Sequence, residues 1–343
     1  MTVIESACVS RDPVQYVRVK PRIHDQKVSI HHWQLRDLVL TRQEPYATGL
    51  IVPTGQDVFE YNYKTGHREF LMSEIGYPPT CMTTGFGYVA AGGQRGDLTL
   101  RNLENENQMT ITTSPNCTIN NGLCLSQVHG NTRLLVANND ATIRVFTVPY
   151  LEHIDTLNFR TAVNHTAVSP DGGKMVAVGD DNNVHLFAIT LSGRYDLVAT
   201  MAASRDANFS VSWNHTSDKF AVASQDGTVH VWDIRNRQPL CKFGGNQNTS
   251  ITKGAARCVK FTQSGAVDLL AFTEHVSHVN IIDARTFDAM QTIRVGPAAY
   301  DTPITGLSFS PDSQSMFVGL EGAILEYKVD TGMRRRFPRG ALL

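Results

Sequence analysis

The stretch FAVASQDGTVHVWDIR, residues 220–235, is one copy of a unit that recurs along the chain. The other copies read GLIVPTGQDVFEYNY, GYVAAGGQRGDLTLRNL, RLLVANNDATIRVFTV, KMVAVGDDNNVHLFAI, LLAFTEHVSHVNIIDA and SMFVGLEGAILEYKV. Each is an apolar strand, a turn rich in Gly, Asn or Asp, and a second strand of alternating polarity. The position held by Trp232 falls at Tyr61, Arg101, Phe146, Phe187, Ile282 and Tyr327 in the others, at intervals of 40, 45, 41, 45, 50 and 45 residues. A unit this short cannot bury both of its faces, so it must stack on its neighbours.

Each copy has room for two further strands. Upstream lie PTCMTTGF, HTAVSP, FSVSWN, RCVKFT and ITGLSFSP, and downstream HREFLM, DLVATM, PLCKF and AMQTIRV. All are short, β-prone and bounded by turn residues. A period near 40–45 with four strands per unit predicts an all-β, seven-bladed β-propeller of four-stranded antiparallel blades. The propeller is expected over 28–330, after an N-terminal extension, 1–27, and before a basic C-terminal tail, 331–343. That tail carries Arg334, Arg335, Arg336, Arg339 and Pro338, which makes it a poor outer strand. The seventh blade therefore needs its last strand from the N-terminal side, either VQYVRV (14–19) or VSIHHWQ (28–34), to hide a sheet edge.

Composition narrows the function classes. The 343 residues are 41% hydrophobic and 18% charged, with a formal net charge of −1, which gives no global attraction to nucleic acid or anionic lipid. No run approaches the ~20 apolar residues of a membrane span, and the N-terminus lacks a basic-then-apolar signal pattern. A cytoplasmic or nuclear location is expected. Six cysteines, at 8, 81, 117, 124, 241 and 258, form no CxxC pair and read as free, mostly buried thiols. No catalytic, cofactor-binding or metal-ligating set emerges: GxSxG, P-loop, GxGxxG after a strand and HExxH are all absent. His31 and His32, adjacent in a strand, would face opposite sides, so with His24 they do not make a metal site.

DGTVHVWDI and the repeat spacing resemble WD40 repeats, over roughly residues 28–330. Only the fifth copy keeps Trp-Asp, and the Gly-His dipeptide of the family is not evident. IHHWQLRDLV near the start and ITGLSFSPDSQSMFVGLEGAILEYKVDTGMRRRF near the end resemble a fungal and plant WD-repeat family with a short C-terminal segment of unassigned function. That resemblance implies a role that some members have, as substrate receptors of a ubiquitin ligase.

Two residue sets are candidates for binding. FAVASQDGTVHVWDIR fits the box of WD40 receptors that dock on a cullin-ligase adaptor, and the next blade repeats its end as IIDAR. Asp233, Arg235, Asp283 and Arg285 are therefore expected to dock a partner, since the arginine fork pairs bidentately with carboxylates or carbonyls. The second set is a ring of acids in the turns between second and third strands: Asp57, Asp97, Asp140, Asp180, Asp181, Asp226, Glu274 and Glu321, opposed only by Arg95. Such a rim suits a cationic or N-terminal peptide, although Asp in these turns also bonds its own backbone. The expectation is a non-enzymatic scaffold for proteins or peptides, alone or within a larger complex. The alternatives are a ubiquitin-ligase substrate receptor and a propeller enzyme acting on a small molecule.

Overall fold

The computed structural model of the chain describes residues 15–44, 46–244, 254–265 and 267–334. The described strands form seven antiparallel sheets of four strands each. The innermost strands are Leu40–Thr41, Cys81–Gly85, Asn120–Val128, Val163–Val168, Asn208–Trp213, Ala256–Phe261 and Ile304–Phe309. They touch one another in order around a ring, the last against the first. The result is a seven-bladed β-propeller.

Register follows the sequence repeat. In the fifth blade Asn208–Trp213, Lys219–Ser224, Thr228–Asp233 and Cys241–Gly244 pair in succession, and Trp232 sits opposite Phe220. The pairs Leu50–Tyr61, Val89–Arg101, Leu134–Phe146, Met175–Phe187, Leu270–Ile282 and Met316–Tyr327 occupy the same place in the other blades. Gly227 closes the turn of the fifth blade at φ 81°, and a Cβ there would come within 2.9 Å of the Gly254 carbonyl. Only glycine meets both conditions without strain.

Blades cohere through their shared clefts. Among the described residues, each of the seven clefts between neighbouring blades holds its own apolar cluster. Between the fourth and fifth, Val176, Val178 and Leu186 meet Val211, Phe220 and Trp232. Alternation along each strand feeds one cleft from each face, so both faces are apolar.

The seventh blade closes with Arg22–His24, antiparallel to Ile324–Lys328. This corrects both expected sources. Of residues 14–19, the described ones, 15–19, contribute an isolated bridge, Val17 to Val329, and no strand, and 28–34 form no strand either. A buried contact fixes the choice: His24 Nε2 lies 3.0 Å from Glu326 Oε2, and His24 Nδ1 lies 3.1 Å from the Tyr61 hydroxyl. Tail residues 335–343 lie outside the described residues, as do the side chain of Arg334 and Cys8.

Five inner strands share an irregularity near their start. Register skips Asn121, Asn164, Phe209, Arg257 and Thr305 in the third to seventh blades. A β-bulge re-aims its extra side chain, and here the shared position puts all five around one mouth of the channel.

Candidate functional site

The two ends of the propeller differ. The upper face carries the turns between second and third strands. The lower face carries the turns between first and second and between third and fourth strands.

On the upper face, most of the carboxylates picked from the sequence accept bonds from their own blade or its neighbour. Asp57 accepts from the Glu74 N–H at 2.7 Å and Asp97 from the Arg95 N–H at 3.3 Å. Asp140 is held by Thr142, Ser114 and Arg144, whose Nη2 lies 2.7 Å away. Asp180 accepts from Asn164, and Asp181 from Asn183. Asp226 accepts from the Arg205 and Thr228 N–H groups and from the Thr228 hydroxyl. Burial alone would raise the Asp226 carboxyl, and these donors bring it below the usual range. Glu274 is fully buried, 3.5 Å from His278 Nδ1 and from Asn280 Nδ2. Glu321 is exposed, and its backbone carbonyl accepts from the Val28 N–H.

A feature not read from the sequence covers this mouth. Residues 28–39, between the closing strand and the first inner strand, arch over the upper face. Ser29 bonds Pro53 and Gly55, the His31 carbonyl accepts from Gln94, and Leu38 donates to the Thr305 carbonyl. Leu35, Arg36 and Asp37 descend into the channel, while Trp33 stays 60% exposed. Asp37 then bridges the channel. Its Oδ2 lies 2.6 Å from Lys260 Nζ and 3.7 Å from His165 Nε2. Burial works against the charge on Asp37, but Lys260 and His165 hold the carboxyl well below the carboxylate range. In return Asp37 holds the Lys260 ammonium above the ordinary lysine range despite burial. The signal available was the charged pair Arg36-Asp37 within IHHWQLRDLV, but the partners of Asp37 lie more than a hundred residues away.

The lower face opens on a cavity of about 490 Å³ in the channel, lined in part by Thr84, Thr166, Ser212, Trp213, Ser308 and Phe309. This size and mix of apolar and hydroxyl groups match those of ligand-binding clefts. Asp233 and Asp283 end their third strands on this face. Arg235 grips Asp233 through Nε at 2.8 Å and through Nη2, and Arg285 grips Asp283 at 3.1 and 2.8 Å. The two forks stand on adjacent blades, with the side chains of Arg235 and Arg285 76% and 38% exposed. Across the same face, Tyr46, Phe86, Tyr150 and Leu191 project from the turns of the first four blades, each half-exposed or more. Aromatic residues and arginine are enriched where proteins meet.

The tryptophan that marks the fifth repeat is held by packing. Trp232 Nε1 is buried without a hydrogen-bond partner. Its ring stacks on Phe220 at 5.3 Å and 10°, with His230 at 5.6 Å. Burial, aided by Lys242, lowers the His230 pKa to about 4 and keeps the ring neutral. Among the described residues no group of three His, Cys, Asp or Glu side chains is placed to hold a metal ion.

Comparison with known proteins agrees with this architecture. Residues 197–233 match the family described as "WD domain, G-beta repeat", and residues 254–294 match "Uncharacterised protein domain (DUF2415)". The first match takes in most of the outer strand of the fourth blade and three strands of the fifth. The second covers the sixth blade. "Uncharacterized protein C4G3.03" of Schizosaccharomyces pombe is 29% identical over 338 residues, which cover 95% of each chain. "Uncharacterized protein YLR149C" of Saccharomyces cerevisiae is 26% identical over 164 residues, covering 38% of this chain and 22% of the yeast protein. Among solved structures, a chain of the "Crystal Structure of Mitotic Checkpoint Complex" superposes with a TM-score of 0.74 at 15% identity, covering 96% of this chain and 98% of that one. The "Crystal structure of RRP9 WD40 repeats" gives 0.68 at 14%, covering 92% and 100%.

Proposed function

The chain is a seven-bladed WD40-repeat propeller, and from that premise we propose that it is a scaffold that docks proteins or peptides on its lower face. One observation carries this reading. Four apolar tips on the first four blades and two arginine forks on the fifth and sixth share one face with the 490 Å³ cavity. A partner of mixed apolar and acidic character matches that surface, because the Arg235 fork pairs with Asp233 through one edge and its side chain is 76% exposed. The upper face is a weaker candidate, since residues 28–39 cover its mouth and its carboxylates already accept bonds.

The paired Asp-x-Arg forks favour a second, sharper reading in which the partner on this face is a ubiquitin-ligase adaptor. Affinity purification with mass spectrometry tests both readings at once. Arg235→Ala combined with Arg285→Ala is expected to lose lower-face partners at least tenfold, with a far-UV circular dichroism spectrum like that of the wild type; Tm falls because Asp233 and Asp283 lose their partners. Ligase subunits among the lost proteins would support the sharper reading. Their absence from both samples would leave the scaffold reading alone. Co-purification that is unchanged in this double variant and also in Tyr150→Ser with Leu191→Ser would overturn docking on this face.

A further inference from the structure

Two of the residues that fill the upper mouth of the channel are arginines with no carboxylate in direct contact; Glu321 acts on Arg36, and Asp206 on Arg257, only without an ion pair. Arg36 descends from the covering segment, and Arg257 is the bulged residue of the sixth inner strand. They are 6% and 1% exposed, and both line one small cavity with Gln34, Asp37, Asn121 and His165. Arg36 Nη1 donates to the His32 and Leu35 carbonyls, and Arg257 Nε points at His275 Nδ1 at 3.4 Å. The Arg257 guanidinium also lies 4.4 Å above the Phe209 ring, the bulged residue of the neighbouring blade. Three nitrogens remain: Arg36 Nε, Arg257 Nη1 and Arg257 Nη2 are buried with no hydrogen-bond partner. Among the described residues no carboxylate forms an ion pair with either group. Asp37, the acid nearest in sequence, is committed to Lys260 and His165.

Leaving such donors bare is costly, because a buried unpaired charge loses hydration and gains nothing in return. The two guanidinium groups also repel each other. Burial and this repulsion lower Arg257 to about 10, and burial lowers Arg36 to about 10, yet both stay charged at neutral pH. Water finds acceptors in the Asp37 carboxylate and the amide oxygens of Gln34 and Asn121, but it adds no negative charge to offset two guanidinium groups. An acceptor-only group of unit negative charge can accept from all three nitrogens. The cavity holds about 20 Å³, close to the space of a single water.

We propose that this cavity is a binding site for a compact monatomic anion of the halide class, chloride under cellular conditions, held between Arg36 and Arg257. The anion ties the covering segment to the sixth blade. This assignment does not depend on the docking role of the lower face.

Crystals of the full chain soaked in sodium bromide test it directly. An anomalous peak between the two guanidinium groups is expected, and its absence would overturn the proposal. In solution, the wild type at constant ionic strength is expected to melt about 2–4 °C higher in chloride or bromide than in gluconate, with a saturating dependence on halide. Arg257→Leu should melt alike in all three salts. Equal Tm values for the wild type in chloride and gluconate would count against the site. Stabilisation by phosphate without stabilisation by halide would replace the monatomic ligand with an oxyanion and overturn the assignment. If Arg257→Leu fails to fold, the bromide crystal decides.

Discussion

Glu326 shows how much one side chain can do for the ring. It is 2% exposed, and its carboxylate meets His24 of the closing strand, Ser315 and Lys328. Burial by itself would raise its pKa; the three partners instead bring it from 4.5 to about 2. A carboxyl whose folded pKa is depressed adds stability that is fully present above the unfolded value and is lost as pH falls through the folded one. The window here runs from about pH 4.5 down to about 2, and the contribution is on the order of 3 kcal/mol at neutral pH. Glu326→Gln should therefore be less stable than wild type by about this amount in urea unfolding at pH 7. The gap should shrink as the pH is lowered through that window. A gap that stays constant from pH 7 to pH 3 would refute this role. His230 works in the opposite chemical direction but with the same pH sign. Held neutral with a pKa near 4, it costs stability once the unfolded chain begins to protonate, so stability falls from about pH 6.5 toward 4.

At the scale of elements, the sequence made some features plain and hid others. Trp232 and its six counterparts fall at one register position because strand alternation is local, written every second residue. The closing strand was misplaced for an equally physical reason. Arg22–His24 is three residues long, with its first two exposed, so it carries no alternation to read. Its pairing rests on a histidine meeting a glutamate 302 residues away. The covering segment and the five bulges were invisible for a related cause: the segment is held by contacts across the channel, and bulged residues such as Asn121 and Asn164 by contacts with the next blade. Deleting residues 1–24 should expose the Ile324–Lys328 edge, and open edges pair with other chains. Size-exclusion chromatography is expected to show self-association, and Tm should fall by several degrees. A truncated chain that stays monomeric with unchanged Tm would mean that this strand does not seal the ring.

For the whole molecule, the contrast between its ends matters most. The upper end is filled by the chain's own residues, with Asp37 fastened to Lys260 and His165, whereas the lower end stays open and bears exposed aromatic tips and arginine forks. Asp37→Asn leaves the Lys260 ammonium in the channel without its carboxylate. A loss of about 1.5–3 kcal/mol is expected, typical for a hydrogen bond to a charged group. Residues 28–39 should also become more sensitive to proteolysis. Asp37→Leu with Lys260→Met removes both charges and should cost less than Asp37→Asn alone. If the double variant is the less stable of the two, the pair is not what secures the segment.

The closing strand also sets a timetable for synthesis. Its partner, Ile324–Lys328, is translated roughly 300 residues later, and at about 5–20 residues per second that interval is roughly 15–60 s. Six blades can hydrogen-bond internally as they leave the ribosome. The seventh cannot, because its outer strand is made roughly 300 residues ahead of its partner and must wait for it. Throughout that interval the nascent chain is an open arc rather than a ring, with the faces of its terminal blades bare, and it is then that a chaperone has most to shield.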